Sequence, residues 1–338
     1  MFSKSEIRDA LINYPLKEIM EKATCEKRKI FGNRILIRGI VEFSNHCSKN
    51  CLYCGIRAAN INVKRYEMKE EEIFEVVKKA CELKIKTVVL QSGELKRKKI
   101  LKLGKIVEKI KGSFSLAITL SLGDLTKDEY KYLKECGADR YLLKFETSDE
   151  KLFEKLRPNT SLKERIKNIY TLKDLGYEVG SGNIIGLPGS NLDTLINDLL
   201  LIKELELDMI GVGPFIPQRD TPLKDGKSPN IDITLKFLSL VRLLNPISHI
   251  PATTSFDALH PEGRVLGFKS GANVVMMDIT PPKYSKNYKI YNKKTEISYY
   301  KDLAEKMRKM TEMVEKSGNK LFFDIGASLK AQNPRLIF

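Results

Sequence analysis

Apolar residues recur along this chain in two alternating rhythms: short β-rich runs, and longer stretches with helical spacing. The β-rich runs are "ILIRGIVEF" (35–43), "TVVLQ" (87–91), "SLAITLS" (115–121), "RYLLKFE" (140–146), "EVGSGNIIG" (178–186), "MIGVGPFI" (209–216), "IPATTS" (250–255) and "ANVVMMDIT" (272–280). Helical stretches such as "KEEEIFEVVKKACEL" and "SLKERIKNIYTLKDLG" separate them, several stopped by glycine. Eight strands, each followed by a crossover, predict a parallel sheet. The count and the 338-residue length match an α/β fold of the (βα)8 TIM-barrel type. A doubly wound open sheet shares the pattern, because spacing along a chain does not reveal closure. Residues 1–33 read as an amphipathic helix capping the domain, 34–318 as the barrel with a last helix over 298–317, and 319–338 as a short C-terminal extension.

Charge adds a mild bias. The 59 Lys and Arg against 43 Asp and Glu give a net charge of +16, but much of it lies in mixed Lys/Glu runs that suit solvated helix faces. Attraction for anionic partners is the sharper reading. No basic tail, zinc-finger pair or aromatic-interleaved basic patch supports nucleic acid as that partner. No apolar run approaches the length of a membrane span, and the N-terminus lacks a signal-type apolar segment. Six cysteines in a chain of this length suit a reducing cytoplasm, where thiols are free to bind metal.

A barrel places active-site groups at the C-terminal ends of its strands and in the loops that follow. The loop after the first strand holds "HCSKNCLYC", with Cys47, Cys51 and Cys54 spaced C-x3-C-x2-C. Three thiolates can hold three irons of a [4Fe–4S] cluster and leave one iron with an open position. The alternative is a zinc site completed by a distant ligand or by His46. Cys25, Cys81 and Cys136 fall on predicted helices and read as small buried apolar residues. Other strand ends are polar or glycine-rich: "QSGE", "SLGD", Glu146, "GLPG" and "TTS". Glu146 closes an apolar strand and needs a partner or a ligand. Arg38 interrupts the apolar first strand, and a buried guanidinium requires an anion or carboxylate. A salt bridge at the barrel floor is its structural alternative, as an ion pair is for Glu146 and Arg165.

"CSKNCLYC" resembles the cysteine signature of the radical S-adenosylmethionine family, in which an aromatic residue precedes the last cysteine. The resemblance covers residues 30–290 and implies a [4Fe–4S] cluster held by Cys47, Cys51 and Cys54, together with S-adenosylmethionine. It places Tyr53, Ser92, Gly93, Glu94, Ser121, Glu146, Arg165 and Leu187 around that cofactor. Ser92 stands where the family has glycine. Within the family, "VEFSNHCSKNCLYCG", "TVVLQSGE", "KLRPNTS", "GPFIPQRDTPL" and "IPATT" are similar to the subgroup holding the [FeFe]-hydrogenase maturase HydE, methylornithine synthase and biotin synthase, and read as HydE-like. A HydE-type enzyme implies a small iron substrate carrying carbon monoxide, cyanide and cysteine. The chamber for it would be lined by Arg38, Gln91, Met209, Thr253, Thr254, Met276 and tyrosines near 284–291, Tyr288 among them. An electron donor and other maturation proteins are the implied partners. A methylornithine-synthase-like substrate of amino-acid type is the alternative, and a non-catalytic metal-cluster scaffold the rival of another class. Two departures from HydE stand out: no cysteine follows Cys136, so no second cluster is expected there, and Phe145 replaces a polar residue before the Glu-Thr pair.

Overall fold

The computed structural model describes residues 3–292 and 302–332. Its strands are β1 (Arg34–Ser44), β2 (Thr87–Ser92), β3 (Ala117–Ser121), β4 (Arg140–Leu142), β5 (Glu178–Ser181), β6 (Ile184–Ile185), β7 (Met209–Ile210), β8 (Gly213–Pro214), β9 (Pro251–Ala252), β10 (Val274–Asp278) and β11 (Lys320–Phe322). The main sheet runs in the order β7-β5-β4-β3-β2-β1-β10-β9, with every described pairing parallel. A parallel bridge between Met209 and His249 joins its two ends. The Ile210 amide donates to the His249 carbonyl (2.9 Å), and the His249 amide to that of Asp208 (2.9 Å). The sheet therefore closes into a barrel, and the open-sheet alternative falls.

Two expected strands are split. The run 178–186 divides into β5 and β6, and 209–216 into β7 and β8, which pair again as a small parallel extension. Gly182 sits at the first break with φ +152°, and a Cβ there would lie 2.3 Å from the Gly211 carbonyl oxygen. Only glycine permits that approach. The expected strand 250–255 ends at Ala252, since helix Thr254–Leu259 begins at once.

The N-terminal region forms two helices, Lys4–Ile12 and Leu16–Phe31, rather than one. Pro15 serves as the cap of the second and has no amide to continue the first. The second helix packs against the outer helix Ile231–Leu244, and the Thr24 hydroxyl donates to the Lys269 carbonyl (2.6 Å). The last long helix is Leu303–Lys316; expected residues 298–301 lie outside the described ones.

Beyond that helix the chain returns to the barrel floor. β11 pairs with the start of β1. The next residues cross beneath the N-terminal ends of the strands. The Ile325 carbonyl accepts from the Thr87 hydroxyl (2.8 Å) and Arg140 Nη2 (3.0 Å), and that of Gly326 accepts from Arg140 Nη2 (2.9 Å). Arg140, 1% exposed, also pairs with Glu178 at 2.5 Å. The Ser328 amide donates to Glu178 (3.0 Å) and its hydroxyl bonds Asp208. This segment closes the floor, so the interior opens toward the other end.

Candidate active site

At the C-terminal ends of the strands the barrel encloses a cavity of about 470 Å³. Cys47, Cys51 and Cys54 all face it. Their loop is held by backbone bonds: the Ser48 amide to the Glu94 carbonyl (3.1 Å), the Leu52 amide to that of Leu156 (2.8 Å), and the Gly55 amide to that of Ile290 (3.1 Å). Gly93 lies against the loop, where a Cβ would meet Cys47 Cβ and the His46 carbonyl oxygen, each at 2.5 Å. His46 does not line the cavity. Burial pushes the Cys51 and Cys54 thiols up from their ordinary values. They therefore hold their protons at neutral pH until a metal displaces them. Among the described residues no three His, Cys, Asp or Glu side chains converge tightly enough for a single metal ion. Zinc would draw its thiolates to about 2.3 Å from one centre. A [4Fe–4S] cluster spreads three thiolates over three irons, and three cysteines that face one cavity from a single loop fit that donor set.

Beside the thiols is a buried ionic patch. Glu94, 8% exposed, approaches Lys49 (3.5 Å), Arg157 (3.4 Å) and Arg165 (3.8 Å). Arg165 also pairs with Asp124 (2.7 Å), and Arg157 donates to the Tyr53 hydroxyl (3.0 Å). Glu146 pairs with Lys144 (3.3 Å) and holds a left-handed backbone at φ +66°. That conformation is strained for a non-glycine residue. It is kept by the Glu146 amide donating to Gly182 (3.0 Å) and its carbonyl accepting from Ile184 (2.8 Å). Carboxylates and guanidinium groups thus stand together at one wall, able to receive the ammonium and carboxylate of an amino acid.

The deeper chamber carries the other expected residues. Gln91 Nε2 donates to the Tyr288 hydroxyl (3.1 Å). Thr254 and Tyr291 share a short hydroxyl contact, and Thr253 bonds Ser255 at 2.8 Å. Ser92, Ser121 and Met276 line the wall. At the base, Arg38 is 5% exposed, and its one described partner is the Met209 sulfur, 2.8 Å from Nη1. Among the described residues its Nε and Nη2 have no hydrogen-bond partner. The floor salt bridge that would have explained Arg38 as structural is not formed among them. Burial first, and Arg140 second, pull its pKa down to about 9.

Three expectations need correction. Leu187 does not line the cavity; it packs with Leu152, Leu156 and Phe215 behind Tyr53. Tyr284 turns outward to Glu72 and stacks on Tyr66, while Tyr288 and Tyr291 face inward. Cys25 is exposed, because the helix turns Ala23 and Lys27 inward and leaves position 25 on the opposite side. Sequence reading also passed over Arg157, Lys49 and Lys144, and held Asp124 only as part of "SLGD". Arg157 sits in "KLRPNTS", where a charge between leucine and proline was a usable signal.

Residues 41–220 match the model of the radical S-adenosylmethionine superfamily. The chain is 48% identical over 265 residues to the [FeFe] hydrogenase maturase subunit HydE of Thermotoga maritima, covering 78% of this chain and 76% of that one. It is 29% identical over 313 residues to 3-methylornithine synthase of Methanosarcina acetivorans, covering 91% and 86%. The crystal structure of methylornithine synthase superposes with a TM-score of 0.82 at 26% identity, covering 95% of this chain and 94% of that one. This chain belongs to the radical S-adenosylmethionine superfamily. It is a HydE-like enzyme that uses a [4Fe–4S] cluster and S-adenosylmethionine.

Proposed function

We propose that this enzyme acts on a small anionic iron species of the HydE type, within the barrel, during maturation of a hydrogenase cofactor. Cys47, Cys51 and Cys54 hold the cluster. Glu94, Arg157, Arg165 and Glu146, with Tyr53, Ser92, Gly93 and Ser121 beside them, hold S-adenosylmethionine. Bound there, the cluster would supply the one electron needed for reductive cleavage of S-adenosylmethionine. The surrounding residues bind, orient and exclude water. The observation that carries the substrate reading is Arg38, a buried guanidinium with two unpartnered nitrogens at the base of the chamber whose rim bears the thiols. An anion placed there would satisfy it. The thioether sulfurs of Met209 and Met276 suit a soft, polarisable ligand set. The 48% identity to a HydE over most of both chains supports the same reading.

The test is anaerobic reconstitution followed by reduction. About four irons per chain, and release of 5′-deoxyadenosine, are expected from the wild type and lost in Cys47→Ala. An iron complex carrying carbonyl, cyanide and cysteine ligands should accelerate that release, and no acceleration would sink the substrate assignment. A second reading, a small amino acid as in a methylornithine synthase, is favoured by Glu42 and Asp278, two carboxylates that also line the cavity. Acceleration by a free amino acid instead of the iron complex would select it.

A further inference from the structure

A cluster that delivers electrons must be refilled from outside, and electron transfer weakens steeply with distance. The refilling partner has to reach the loop that carries the thiols. Residues 48–50 form that loop's outer edge, with Ser48 exposed. Two surface features flank this edge. One is the first turn of helix Arg97–Ser113. The Glu94 carbonyl accepts from the Ser48 amide (3.1 Å), and two residues later comes the basic run Lys96, Arg97, Lys98 and Lys99. Lys99 pairs with Glu67. Lys96, Arg97 and Lys98 are exposed and make no ion pair among the described residues. The other is the loop that follows the thiols. The Ala58 amide donates to the Lys49 carbonyl (2.8 Å) and that of Ala59 to Asn50 Oδ1 (2.8 Å). Its tip, Ile61, is 93% exposed, the largest exposure of any large apolar residue described.

The basic turn runs against local physics. Helix N-termini favour acidic groups, because the macrodipole is positive there. Helices Glu70–Glu82 and Lys127–Glu135 obey this, with acidic residues in their first turns. Helix Arg97–Ser113 has no acidic residue in its first turn and no side-chain cap. A local rule broken without a compensating contact in the fold points to a use outside it. Helix Glu150–Leu156, on another side of the thiol loop, alternates both signs, so the uncompensated charge lies on one flank.

We propose that Lys96, Arg97 and Lys98, together with the Ile61 tip, form the docking surface for a small acidic one-electron carrier protein that reduces the cluster. This rests on the reading of Cys47, Cys51 and Cys54 as cluster ligands. An exposed apolar residue and an unbalanced basic turn, each on a segment bonded to the thiol loop, are the kinds of element a transient interface uses. Redox encounters of this kind bury little surface and depend on electrostatic steering. The carrier loses one electron and the cluster gains it. That electron is then spent on the carbon–sulfur bond of S-adenosylmethionine.

The probe is a purified acidic flavodoxin, titrated against reconstituted enzyme at low and at moderate salt. The variant K96E/R97E/K98E is compared with K84E/K86E/K320E, a charge-matched control whose lysines precede β2 and open β11 at the floor end. Binding to the rim variant should weaken by about tenfold or more, and wild-type binding should weaken with salt. The control should stay within about twofold of wild type. Cleavage driven by the flavodoxin should slow in the rim variant, while cleavage driven by dithionite stays at the wild-type rate. The proposal is overturned if the rim variant binds like wild type, if the control loses as much, if wild type does not bind the flavodoxin, or if an RNA oligonucleotide takes the rim in its place. Absence of dithionite-driven cleavage in the wild type would instead overturn the cluster assignment, and leaves the binding comparison readable by itself.

Discussion

Replacing Arg38 by methionine should make the protein more stable and less useful. The guanidinium stays charged at neutral pH, so the fold bears the cost of burying it. Its pKa is pulled down to about 9. At about 1.36 kcal/mol per pH unit, that displacement from the ordinary value corresponds to about 5 kcal/mol. The cavity beside it and the Met209 sulfur offset part of this. Exchanges of buried charges for apolar groups of similar size gain about 1–4 kcal/mol. The expected gain for Arg38→Met is therefore about 2–3 kcal/mol, read as a higher denaturant midpoint with an unchanged slope. Iron content and slow, substrate-free release of 5′-deoxyadenosine should persist, because Arg38 is not among the groups beside the thiols. Acceleration by the iron complex should disappear. Stability that falls by a kilocalorie or more would refute the reasoning, since it would make Arg38 a structural group. Retained acceleration would equally refute its role in holding an anion.

Three further outcomes are expected. Gly93→Ala should displace the cysteine loop, because the new methyl group meets Cys47 and His46 at 2.5 Å; reconstituted iron should fall below about half of the wild-type content. Asp198 is buried beneath the strand ends, where its carboxylate accepts from the Ser148 amide (2.6 Å) and Asn183 Nδ2 (2.6 Å), and burial raises its pKa to about 6. A carboxyl group raised in the folded state contributes stability that is present below about pH 4 and lost as pH climbs through 6. Wild type should thus lose up to about 3 kcal/mol relative to Asp198→Asn between those values, seen by comparing unfolding midpoints across the range. Arg140→Ala would leave Glu178 unpaired and release the floor segment. The cost should be about 3 kcal/mol, the low end for a broken buried pair because Glu178 keeps some contact with water, and proteolysis near Ile325 should quicken.

Much of the fold was legible because each barrel strand is buried on both faces and reads as a continuous apolar run. Gly182 shows the limit. It lies inside such a run, and its collision with Gly211 is a contact between different strands that no local pattern reveals. The candidate site was legible at Cys47, Cys51 and Cys54 through spacing, and at Arg38 through one charge in an apolar strand. Leu187 lies off the cavity wall, and membership in a loop says nothing about which side of that loop a residue faces. Arg157 was missed because its partners Glu94 and Tyr53 are distant in the chain.

By itself the sequence determined the alternation of strands and crossovers in the barrel and the three thiols on one loop, whose resemblance to a known signature pointed to the reaction class. These depend on local periodicity and short spacing, which survive without coordinates. Only the tertiary structure decided that the sheet closes through Met209 and His249 and that Arg140 fastens the C-terminal segment across the floor. It also decided that, among the described residues, Arg38 Nε and Nη2 find no hydrogen-bond partner. Each of these is a pairing, or a missing pairing, between groups far apart in the chain, and closure of the barrel is what brings such groups together or keeps them apart.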